Sequence, residues 1–154
     1  MAPLPTPGSG ALRKGRYSQV GGIYHVTLVT DGRIPWFQVF SFAQIMCRNL
    51  RRPDSRGEAR SLCWVVMPDH AHLLLQLGES DLSGVVRRLK GRSGLQLNRE
   101  IGRKGRFWSP GFHDHGLRRE EDVRGIARYI VSNPLRAGLV RRLGDYPYWD
   151  AAWL

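Results

Sequence analysis

Two apolar runs, Ser61 to Met67 and His70 to Leu77, are separated only by Pro68-Asp69, and this constrains the chain more than any other feature. So short a connection suits two antiparallel strands paired with each other. Leu73, Leu74, Leu75 and Leu77 crowd the second run, so the pair is expected at the buried centre of a sheet.

The remaining elements fall into place around that pair. A β-branched and aromatic run from Gly22 to Thr30, closed by Asp31-Gly32, predicts a first strand. Ser41 is placed to cap a helix carrying Phe42, Ile45, Met46 and Leu50, ended by Arg51-Arg52-Pro53. Ser80 or Asp81 opens a second helix with Leu82, Val85, Val86 and Leu89 on one stripe. Phe107 to Arg118 reads as a loop and a short strand, after which Glu120-Glu121-Asp122 start a third helix that Pro134 stops. This order predicts an α+β fold: a ferredoxin-like split βαβ arrangement, with a mostly antiparallel sheet and helices packed on it. The 154 residues fit a flexible basic arm (residues 1–16) and a single domain (17–154). The aromatic tail with Tyr146, Tyr148, Trp149 and Trp153 is expected to cover the core, a base-stacking platform being the alternative.

Charge narrows the partners. Lys and Arg number 24 against 13 Asp and Glu, a net +11 with an isoelectric point near 10.8, which attracts polyanions and nucleic acid first. Arg dominates, which suits planar contacts to phosphate and base edges, although an arginine-biased genome gives the same count. Eight basic residues and two acidic ones lie between Asp81 and Arg106. The candidates for DNA contact are Arg13, Lys14, Arg16 and Tyr17 in the arm and Arg87, Arg88, Lys90 and Arg92 on the second helix. Every apolar run is far shorter than the roughly 18 residues of a membrane span, and no signal peptide follows Met1, so a cytoplasmic protein with no membrane partner is expected. Cys47 and Cys63 match neither zinc spacing nor a disulfide framework.

His70-Ala71-His72 starts a strand, and the two-residue period sends both imidazoles to one face, where they can share a cation. Histidines bonded to backbone would fit the same spacing. His113-Asp114-His115 repeats the pattern between Pro110, Gly111 and Gly116; the first pair is preferred because its strand offers the more rigid base. On the third helix Val123, Ile126 and Ile130 form the buried stripe, which leaves Tyr129 at its edge and Asn133 one turn on. By spacing alone these are a packing residue and a cap.

The stretches Trp64-Val-Val-Met-Pro-Asp-His-Ala-His-Leu-Leu-Leu and Ala127-Arg-Tyr-Ile-Val-Ser-Asn-Pro-Leu-Arg-Ala-Gly-Leu-Val resemble those of REP-associated tyrosine transposases. Gly111 to Asp122 and Gly144 to Asp150 fit as well, so the resemblance runs from about Arg13 to the C-terminus. It implies a single-tyrosine transposase with an HUH motif, in which His70 and His72 hold a divalent metal, Mg²⁺ or Mn²⁺. Tyr129 would be the nucleophile that forms a 5′-phosphotyrosine, and Asn133 a third ligand where related transposases carry Gln. Asp69 stands where many members have Asn, and Ala71 where Val or Phe is frequent. The implied partner is single-stranded or hairpin DNA of a repetitive extragenic palindrome, met by a monomer or homodimer. A catalytically silent protein that binds repeat hairpins is the alternative.

Overall fold

The computed structural model describes residues 21–54, 56–118 and 122–153. In chain order these form β1 (Ile23–Val29), α1 (Phe40–Arg51), β2 (Ala59–Met67), β3 (His70–Leu77), α2 (Leu82–Ile101), β4 (His113–Gly116), α3 (Val123–Val131), α4 (Asn133–Arg136) and β5 (Trp149–Ala151). The expected arm and the arm residues Arg13, Lys14, Arg16 and Tyr17 lie outside the described residues.

Pro68-Asp69 turns β2 into β3, whose register runs from Met67 opposite His70 to Ala59 opposite Leu77. The five strands form one sheet in the order β4-β1-β3-β2-β5, and every pairing is antiparallel. The first four strands and the two helices between them follow the split βαβ plan of the sequence reading, and β5 extends it at the β2 edge.

Alternation along the strands divides the sheet into two layers. Tyr24, Val26, Leu28, Trp64, Val66, Ala71, Leu73 and Leu75 face one side and pack with α1 and α2. Leu62, Cys63, Val65, Met67 and Leu74 face the other and pack with Ala127, Ile130 and Val131 of α3. β2 is therefore covered on both faces, which is why its run reads as continuously apolar. A register shift between Ser61 and Cys63 marks a bulge where both Leu62 and Cys63 are buried. Both cysteines are free and buried.

Asp81 caps α2 by accepting from the Gly84 amide at 3.0 Å, and the helix closes on Gly102 at φ 83°, a left-handed C-cap that glycine adopts without penalty. Two expected boundaries are corrected. Ser41 lies inside α1, whose N-cap is Val39. Pro134 does not stop the third helix; the helix breaks at Ser132, and Pro134 sits in the first turn of α4, where its missing N–H costs no bond. The tail docks: Tyr146 donates its hydroxyl to the Val66 carbonyl, and Trp149 pairs with Val65.

Candidate functional site

All five histidines of the sequence lie on three adjacent strands, and the register sets them on one face. His72 is opposite Thr27 of β1 and Val65 of β2, and His70 is opposite Val29 and Met67. On the far side of β1, His115 is opposite His25 and His113 is opposite Thr27. Val65 and Met67 belong to the layer under α3, so the imidazoles share the face on which that helix rests. Ala71, 1% exposed, points into the opposite core and fixes the direction of its two neighbours.

The rings of His70 and His72 stand edge to face with centroids 4.9 Å apart. His70 Nδ1 is 2.7 Å from Asp69 Oδ1, and Arg33 donates to the other carboxylate oxygen at 3.1 Å. Burial works against the charge on Asp69, but these bonds outweigh it and hold the carboxyl below its ordinary range. His72 Nδ1 lies 3.0 Å from both His25 Nε2 and Thr27 Oγ1. Burial first, then the neighbouring His25, His70 and Arg136, push His72 down to about 3 from 6.5. Burial and His115 push His25 down to about 4. Both rings are therefore neutral at physiological pH, the form that ligates a metal.

This arrangement fits a cation held by two histidines. In each ring Nδ1 is engaged by an oxygen or a nitrogen of the protein, so that with Nδ1 carrying the proton, Nε2 keeps its lone pair for a metal. Among the described residues no group of three or more His, Cys, Asp or Glu side chains converges as a metal site would. Asn133 offers an amide. Its Nδ2 donates to the Ile130 carbonyl at 2.7 Å, so Oδ1 is not engaged in that bond.

Tyr129 is 64% exposed, not at the edge of the buried stripe, because the side of α3 that packs centres on Ala127, Ile130 and Val131, with Val123 and Ile126 only partly buried beside them. The break at Ser132 folds the chain back over this residue. Ser132 Oγ donates to the Tyr129 carbonyl at 2.8 Å, Arg136 Nη1 donates to the same oxygen at 2.6 Å, and the Arg136 guanidinium carbon lies 3.8 Å from the centre of the phenol ring.

The basic flank of the second helix is largely tied into the fold. Arg88 pairs with Asp54, which is 1% exposed, at 3.0 Å. Lys90 donates to the carbonyls of Ser109 and Gly111 at 2.8 and 2.6 Å, and Arg92 binds Asn49 Oδ1 at 2.7 Å and the Arg52 carbonyl at 2.6 Å. Of the four, these three are drawn into bonds within the fold, and Arg87 is the exposed one. α2 also packs on the sheet face opposite the histidines. Reasoning from sequence missed His25, and the one signal available was its place in a strand pattern that points the same way as Thr27.

The chain thus joins a five-stranded antiparallel sheet, a His-x-His pair on a central strand and an exposed tyrosine on the helix packed over the same face. Residues 18–133 match the family described as "Transposase IS200 like", and the chain belongs to that family. A REP-associated tyrosine transposase of Escherichia coli strain K12 is 34% identical over 87 residues, 55% of this chain and 50% of that protein, so the match spans half the length of that relative. A Haemophilus influenzae protein assigned to the same REP-associated group is 33% identical over 139 residues, 83% of this chain and 78% of its own. Among solved structures, a REP-associated tyrosine transposase bound to a REP hairpin is similar with a TM-score of 0.67 and 26% identity, over 87% of this chain and 79% of that one. A Deinococcus radiodurans protein assigned as a transposase shares the fold at a TM-score of 0.54 and 23% identity, covering 77% of this chain and 92% of its own. Among the described residues, no helix is long and apolar enough to cross a membrane.

Proposed function

We propose that the chain nicks and rejoins single-stranded DNA beside a repeat hairpin, with Tyr129 as the nucleophile and His70, His72 and Asn133 holding a divalent cation, Mg²⁺ or Mn²⁺. The observation that carries this reading is the paired histidines, each tied at Nδ1, on the sheet face that supports the helix of an exposed tyrosine. A solved relative bound to a REP hairpin supports the choice of DNA.

When bound, the cation would neutralise charge on the phosphate oxygens and help orient the scissile bond. The chain's own part is to present Tyr129 Oη to phosphorus. The new bond forms from Oη, the bond from phosphorus to the 3′ oxygen breaks, the phenolic proton passes to solvent, and the departing oxygen takes up a proton. The product is a 5′-phosphotyrosine and a free 3′-hydroxyl. Because one phosphodiester replaces another, a second 3′-hydroxyl can reverse the step without ATP. An in-line approach to a tyrosine on a helix needs a strand free to bend, so single strands flanking a hairpin are the expected substrate and plain duplex is not.

The test is to incubate the protein with end-labelled single-stranded repeat DNA and Mn²⁺, then look for a denaturation-resistant adduct. Wild type should form it, and Tyr129→Phe should not while binding the same DNA. A hairpin-binding protein without chemistry would bind and give no adduct; a hydrolase using water would cut and give no adduct. Either result overturns the proposal.

A further inference from the structure

We infer that Arg136 is a positioning residue for Tyr129, fixing the phenol ring for attack on phosphorus; this rests on the reading of Tyr129 as the nucleophile. An exposed tyrosine ordinarily exchanges rotamers within nanoseconds, and here something holds it. The Arg136 guanidinium carbon is 3.8 Å from the ring centre, well inside the roughly 6 Å reach of a cation on an aromatic face.

The contact depends on the break in the helix. Residues seven apart in a continuous helix sit about 10 Å apart along its axis, too far for such stacking. The turn at Ser132 brings Arg136 back, and its Nη1 donates to both the Tyr129 carbonyl and Ser132 Oγ. The guanidinium over the ring is thus anchored to the backbone of the residue whose ring it contacts. Arg136 is exposed, and water could satisfy the same carbonyl, so folding does not require this side chain.

The experiment compares wild type, Arg136→Gln and Arg136→Lys with labelled single-stranded repeat DNA and Mn²⁺, measuring DNA affinity and the rate of adduct formation at saturating DNA. Arg136→Gln should lower that rate by about ten- to a hundredfold with affinity within about threefold, and Arg136→Lys should recover part of it, since charge is kept but the planar stack is lost. A second measurement needs no chemistry: fluorine NMR of protein labelled with fluorotyrosine, the Tyr129 signal identified through Tyr129→Phe. That signal should move in Arg136→Gln without DNA or metal, the other four tyrosines staying in place. An unmoved signal, an unchanged rate, or a loss confined to affinity overturns the inference. If wild type forms no adduct dependent on Tyr129, the functional reading falls and this inference falls with it; an adduct that ignores Arg136 removes the inference alone.

Discussion

His25 Nε2 lies 3.0 Å from His72 Nδ1, a bond between adjacent strands that ties the inner histidine of the pair to β1. Replacing the partner of a metal-binding imidazole usually weakens metal affinity by about 10- to 100-fold, because ring orientation and tautomer are lost. His25→Phe should therefore reduce Mn²⁺ affinity by roughly that factor in calorimetric titration, with the fold retained by circular dichroism. Unchanged affinity would show that His25 does not support the site.

The two His-x-His pairs share a face, and the proposal distinguishes them by their setting. His70→Ala and His72→Ala should each bring adduct formation to background and abolish its response to added metal. His113→Ala and His115→Ala should retain a large part of both. The opposite pattern would move the metal to β4.

The depressed histidines predict a pH dependence of stability. His72 and His25 titrate at about 3 and about 4 in the folded chain against 6.5 when free, so below pH 6.5 the unfolded chain takes up protons that the folded chain refuses. Stability is then complete above 6.5 and falls as pH drops toward 4, and Asp69, whose carboxyl is held low, adds its own loss only in more acid solution. Urea midpoints measured across this window should fall for wild type and fall less for His25→Phe. A flat profile would contradict the buried neutral state of these rings.

Arg88 and Asp54 give a test of how far the basic flank of α2 is tied into the fold. Removing one member of a buried pair costs about 3–5 kcal/mol, and Arg88 is partly exposed, so Arg88→Met should cost about 2–3 kcal/mol in chemical denaturation. Arg87→Met should leave stability within about 0.5 kcal/mol. If instead both variants are equally stable, Arg88 is a surface cation after all.

The sequence made the centre of the sheet legible because Pro68-Asp69 interrupts two apolar runs at a single point, and it made the start of α2 legible because Asp81 caps it. His25 was hidden because its partner is 47 residues away and only strand pairing brings them together. His113 and His115, set among Pro and Gly, gave a weak strand signal, and their pairing with β1 is what orders them. The flank of α2 looked free because the groups that hold it, Asp54, Asn49 and the carbonyls of Arg52, Ser109 and Gly111, come from elsewhere in the chain. The stripe of Val123, Ile126 and Ile130 placed Tyr129 near the core; Ala127 and Val131 are buried where Val123 and Ile126 are only partly so, which turns the packed side of the helix away from Tyr129.

The division of the sheet into two layers has an evolutionary consequence. His70, His72 and Tyr129 all stand outside the fully buried set, whereas the large aliphatic side chains that hold the strands together are drawn from other positions. If Tyr129 is the nucleophile proposed above, one substitution there would silence the chemistry and leave the scaffold standing, and a lineage of this fold could drift from cutting a repeat to merely occupying it without passing through an unfolded ancestor.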